Sequence, residues 1–289
     1  MTFALLLSWH CFRLRASMKD SEQRIANEVR GKIISAIDEF VIFGRDTERR
    51  IENDSWKSNE IREERFLKFW ETGRKIATTL ASSTIDVDSL FSDVDNRVPL
   101  FALAGLSMEA SQKPRLQKQD AQKVFRIAQT HPVRALREAA RIYLFEAKFL
   151  SPSPAIQRAW EITEERELVM LGHPGDHKAW VAAQLHTQVW SALSTDNWYT
   201  QESSLFPGES NRWMLQTAYP FMSVLFRSGP LSTEELMCVE LNTEALAGSL
   251  QHLISIGEVE RQEIKQGLFA RPKVVFTLAR PGHWSGPPF

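Results

Sequence analysis

Between Leu231 and Leu278 the chain reads LSTEELMCVELNTEALAGSLQHLISIGEVERQEIKQGLFARPKVVFTL, a close succession of helix starts, a helix stop and strands. Ser232 with Glu235 three residues on makes a capping box, in which each side chain satisfies a backbone N–H of the other residue, so a short helix starts there. Asn242 then caps a second helix that runs to Ile256, with Leu246, Leu250, Leu253 and Ile254 on one apolar face. Gly257 suits the left-handed backbone that ends such a helix. Val259–Ile264 and Lys273–Leu278 read as strands. In the second, Val274, Phe276 and Leu278 alternate with Lys273, Val275 and Thr277. Gln266, Gly267 and Pro272 lie where the two strands turn. Ahead of the stretch, Pro220 holds the first position of a leading helix, Tyr219–Arg227.

This order of elements, over residues 219–279, resembles a winged helix-turn-helix domain. The resemblance implies a module and two competing uses for it. In the first, the Asn242–Ile256 helix enters the major groove of double-stranded DNA and the ribbon lies on the backbone. Asn242, Thr243, Glu244, Gln251 and His252 would then face the duplex, with Gln251 able to read an adenine edge. Arg261, Lys265, Arg271 and Lys273 would meet phosphates. Such proteins gain affinity by pairing on two half-sites, so a regulatory homodimer is the leading expectation. In the second use, the module binds a protein partner. Charge favours it: Gly229–Arg280 holds five basic and seven acidic residues, and an acidic module neutralises few phosphates. A helical N-terminal part with an acidic C-terminal winged helix is similar in architecture to the kleisin subunits of chromosome-organising complexes.

The rest of the chain is expected to be helical, giving a mainly α protein whose clear β-hairpin is Val259–Leu278. Net charge is −1, so no global field draws the chain to nucleic acid or to a membrane. Two cysteines, Cys11 and Cys238, are too few for a disulfide framework and point to a reducing, cytoplasmic setting. Cys238 is expected inside a helix as a small buried thiol. The apolar run Phe3–Leu7 is too short to span a bilayer. Residues 1–18 read as a tail, with Met18 as an alternative start.

From Ser21 an apolar stripe of Ile25, Val29, Ile33, Ile37, Phe40 and Ile42 marks a helix whose strong pattern ends at Gly44. Arg45–Arg65 is densely charged with alternating sign, as in ERRIENDSW and EIREER, which reads as a solvated helix or connector. A second helix is expected over Phe66–Leu80, forming either an antiparallel hairpin with the first or a dimer surface. Residues 19–97 thus form one helical region with a charged connector. Within it, Asp86, Asp88, Asp93 and Asp95 lack the Gly and terminal Glu of an EF-hand loop and suit turns and helix caps instead.

Residues 98–212 are expected to be a further helical domain. Pro99–Met108 is apolar enough to be buried. Glu109–Lys148 then carries nine basic and four acidic residues, the strongest local excess in the chain. Arg134, Arg137, Arg141 and Lys148 fall on one helical face. Read as function, Arg134, Arg137 and Arg141 form a surface that follows phosphates beside the C-terminal module. Read as structure, they are solvated or paired with acids elsewhere. The winged helix occupies 213–280, and 281–289 is a Pro/Gly tail.

Signals for catalysis are sparse. The chain has no GxxxxGK[ST], GxGxxG or GxSxG motif. His173, His177 and His186 are the best metal candidates, but Pro174 and Gly175 interrupt the first pair and HExxH is absent. Glu164, Glu165 and Glu167 read as a solvated helix face. The expectation is a non-enzymatic protein without metal or other cofactor.

Overall fold

The computed structural model describes residues 2–54, 57–81, 90–110, 116, 118–170, 172–194, 219–265 and 272–280. The protein is mainly α-helical, with one small antiparallel sheet near the C-terminus. Contacts divide it into two compact units, Met1–Arg115 and Leu116–Phe289. The expected boundaries at 97/98 and 212/213 both fall inside a unit.

The first unit contains α1 (Thr2–Asn53), α2 (Ser58–Ala81) and α3 (Arg97–Ala110). The backbone of α1 is already helical at Thr2, so the stretch expected as a tail belongs to it. No Gly or Pro breaks residues 2–20. The helix also runs past Gly44, and α2 starts eight residues before Phe66. In both cases the charged stretch is helical and meets the other helix through ion pairs. Arg50 makes two hydrogen bonds to Glu64, and Glu39 and Glu48 pair with Lys75 and Arg65. These pairings make α1 and α2 an antiparallel hairpin.

The stripe on α1 buries Val29, Ile33, Ile37 and Phe40, whereas Ile25 and Ile42, expected on the same face, stay exposed. Phe40, Phe69 of α2 and Phe101 of α3 meet with ring centroids 5.5 to 5.9 Å apart, one aromatic from each helix. Helix α3 can come this close because Gly105 faces α2: a Cβ there would sit 3.1 Å from the backbone of Gly73 and Ala77. Asp95 accepts from the backbone N–H of Arg97 at the start of α3, and Asp93 holds the Arg30 guanidinium through both oxygens. These two aspartates cap and pair, as the turn reading expects; Asp86 and Asp88 lie outside the described residues.

The second unit begins with α4 (Lys118–Thr130), α5 (Arg134–Glu146), α6 (Pro154–Met170) and α7 (His177–Ser194). Then come α8 (Pro220–Ser228), β1 (Leu231–Ser232), α9 (Thr233–Leu236), α10 (Thr243–Ser255), β2 (Val259–Ile264) and β3 (Lys273–Leu278). The local signals set these last elements closely. Pro220 opens α8, the Ser232–Glu235 capping box is complete, and Asn242 caps α10. Gly257, at φ 72°, ends α10. Cys238 lies in the turn after α9, half-buried, and burial pushes its thiol pKa up.

The hairpin pairs Val259 with Leu278 and Ile264 with Lys273. Sequence reading missed one strand. Leu231 and Ser232 pair with Phe276 and Val275, so the sheet has three strands in the order β1-β3-β2. Two residues are too short to show an alternating pattern. Leu236, Leu246, Leu250, Leu253, Val259 and Phe276 share one core cluster with Phe221 and Leu225 of α8. Ile156 and Ala159 of α6 belong to it as well, so the C-terminal module completes its core on a helix far upstream. Burying a side chain of this size contributes about 1.5–3 kcal/mol. Among the described residues no helix is long and apolar enough to cross a membrane.

Candidate interaction surface

The outer face of α10 is where the polar residues picked from the sequence gather. Thr243, Glu244 and Gln251 are exposed on it, together with Ala247 and Gly248. Asn242 is committed elsewhere. Its side-chain oxygen accepts from Ala245 N–H at 2.8 Å, and its amide donates to the Gln129 carbonyl of α4 at 2.7 Å. His252 is half-buried, its ring centroid 6.2 Å from that of Tyr219.

The basic residues of the ribbon are partly neutralised where they stand. Arg261 pairs with Glu263 at 3.3 Å, and Lys273 pairs with Glu235 at 3.4 Å. The first pair is exposed on both sides and contributes little to stability. Lys265 is exposed, and Arg271 lies outside the described residues.

Arg134, Arg137 and Arg141 do not form the exposed basic face that their spacing predicts. Arg137 is 5% exposed. It donates to the carbonyls of His131 and Pro132 and faces the buried Glu240 at 3.5 Å. Arg141 makes two hydrogen bonds to one oxygen of buried Glu138 and lies over the rings of Phe145 and Trp160. Arg134 is half-buried, and its charge acts on Glu240. Burial pushes the Glu240 carboxyl up, as does neighbouring Glu138, while Arg137 pulls it down. Arg137 and Glu240 therefore form an internal seam between α5 and the segment joining α9 to α10. The Glu138–Arg141 pair, three residues apart, was open to sequence reading. Glu240, distant in the chain, was not.

The histidine and glutamate candidates are also absorbed by packing. His177 lies between two carboxylates, its Nε2 2.9 Å from Glu146 and its Nδ1 2.8 Å from Glu164. The hydrogen bond to Glu146, with help from Glu164, raises its pKa to about 9. Glu164 and Glu167 are not a solvated face. Glu167 accepts from Trp180 at 3.0 Å and Gln184 at 2.7 Å, and burial pushes its carboxyl pKa up. Glu165 alone of the three is exposed. Among the described residues no group of three or more His, Cys, Asp or Glu could hold a metal ion.

What tertiary packing adds is a groove beside α10, of about 290 Å3. Thr243, Ala247, Gln251 and Ile254 line it with Thr233, Met237 and the buried Leu246, Leu250 and Phe276. No charged residue lines it. Thr243 and Gln251 were picked from the sequence; Met237, Ile254 and Phe276 were not, because a groove between non-adjacent elements leaves no local pattern. Comparison with protein-family models, curated proteins and solved structures finds no match.

Proposed function

We propose that residues 220–280 are a winged helix-turn-helix module that docks protein, making the chain a non-enzymatic adaptor or a subunit of a complex. The order of a leading helix, a short capped helix, a second capped helix and a β-ribbon supports the first half of this reading. One observation carries the second half. Helix α10 contains no Lys or Arg, and its outer face opens on an apolar groove. DNA affinity comes largely from neutralised phosphates. Here Arg137 and Arg141 are internal, Arg261 and Lys273 have carboxylate partners, and Glu244 faces solvent. Apolar, weakly charged concavities are what protein partners fill with anchor side chains. The two cysteines support a cytoplasmic location.

Two measurements test the reading. Fluorescence anisotropy of the full chain with random duplex DNA at low salt should give no binding in the micromolar range. Micromolar or tighter binding whose logarithm falls with the logarithm of salt would return the module to DNA. A photo-crosslinker in place of Gln251, in the full chain in its own cells, should give discrete protein adducts. The same group at exposed Glu39 should not.

A further inference from the structure

We infer that the exposed edge of β2 pairs with the same edge of a second copy of this chain, in the register that sets Arg261 opposite Glu263 of the other copy. This pairing is independent of whatever docks beside α10. β2 is an outer strand of the sheet, with β3 on one side only. Residues 260–265 are exposed, so among the described residues no element covers this edge.

The ladder decides which backbone groups the edge offers. The Ala279 N–H donates to the Glu258 carbonyl at 3.0 Å, and these two residues stand opposite each other one step beyond the Val259–Leu278 pair. A strand bonds to one antiparallel neighbour at every second residue. Glu260, Gln262 and Ile264 therefore bond to β3, while Arg261 and Glu263 aim their N–H and C=O groups outward. Among the described residues nothing bonds to those outward groups.

A closed pair of identical edges has a twofold axis, which makes the two strands antiparallel and sets outward residues opposite outward residues. Only two such registers pair more than three residues of each β2, Val259–Ile264. One is centred on Arg261 and sets two guanidinium groups against each other. The other is centred on Gln262 and sets Arg261 against Glu263 twice, once on each side of the axis. Opposite charges directly across antiparallel strands attract, and like charges repel. Charges on an edge strand ordinarily turn other strands away. Here their order, Arg261 then Glu263, makes the edge complementary to itself. Within one chain Arg261 pairs with Glu263 at 3.3 Å, but both side chains are more than half exposed, so the pair rearranges at little cost. An interface of two strands is small, and the dimer is weak.

Sedimentation velocity of the full chain tests the pairing. The native chain is expected to be dimeric at about 100 µM and monomeric at about 1 µM. Arg261→Glu alone and Glu263→Arg alone each set like charges opposite, and each should stay monomeric at the higher concentration. An equal mixture of the two should sediment as a dimer, because every opposed pair then has opposite signs. Both positions are exposed, so the variants keep the fold. Gln262→Cys places two thiols across the axis, with Cα atoms about 4.5 Å apart, and should give a disulfide-linked dimer on mild oxidation. Glu260→Cys, opposite Ile264, should cross-link no more than the native chain. A native chain that is monomeric at both concentrations would overturn the inference and leave the edge to a strand of another protein. Dimers that persist in either charge variant, a mixture that stays monomeric, or no cross-link at position 262 would overturn it as well.

Discussion

Arg137 of α5 and Glu240 of the α9–α10 connection face each other at 3.5 Å, Nε to Oε1, with side chains only 6% and 7% exposed. The contact joins α5 to the C-terminal module and explains why Arg137 is not part of a basic surface. Removing one partner strands a charge in a poorly solvated site. Arg137→Met is therefore expected to destabilise the protein by about 3–5 kcal/mol. The double change with Glu240→Leu should recover a large part of the loss. Calorimetric unfolding of the full chain checks both. A loss below about 1 kcal/mol for the single change would mean the pair behaves as an exposed one.

His177 ties α5, α6 and α7 through Glu146 and Glu164. Its folded pKa, about 9, lies above the ordinary 6.5, so the protonated ring stabilises the fold. That stability is fully present below pH 6.5 and is lost as pH rises through 9. The ring is 44% exposed, so solvent screening reduces the effect to about 1 kcal/mol. Urea unfolding at pH 6 and pH 10 should show this loss in the native chain and not in His177→Gln. A proton NMR titration of the ring with a midpoint near 6.5 would remove the basis for it.

Two glycines at the α2–α3 crossing should respond differently. A Cβ at Gly105 would stand 3.1 Å from backbone atoms of α2, which can move only with the whole helix. Gly105→Val is expected to cost about 1–3 kcal/mol through overpacking. A Cβ at Gly73 would meet the flexible thioether of Met108, which can swing away. Gly73→Ala should stay within about 1 kcal/mol of the native chain, since Ala also favours the helix. Thermal melts that rank the two variants in the opposite order would refute this account of the crossing.

Asn242 has two jobs, capping α10 and tying it to the Gln129 carbonyl. Asn242→Ser keeps a capping oxygen but loses the amide donor. Asn242→Ala loses both, and is expected to cost about 2 kcal/mol, with Ser intermediate. Equal stability of the Ser and Ala variants would show that the cap contributes nothing.

Residues close in sequence were readable wherever their chemistry is local. The Ser232–Glu235 box, the Asn242 cap, Gly257 as the stop of α10 and the Val259–Leu278 hairpin all follow from interactions within a few residues, so the sequence alone determined them. The helical stripes from Val29 to Phe40 and through Leu246, Leu250 and Leu253 are local in the same sense, but Ile25, Ile42 and Ile254, assigned to the same faces by period, stay exposed because among the described residues no element packs over them. Tertiary structure decided the rest. It paired β1 with β3, placed Ile156 of α6 in the module's core, and turned Arg137 and Arg141 inward onto Glu240 and Glu138. It also shaped the groove from α9, α10 and β3. Charge on a helix face can be counted from sequence, but whether it meets water or a carboxylate depends on what folds against it. Desolvation and pairing act through space, between residues that the chain order keeps far apart.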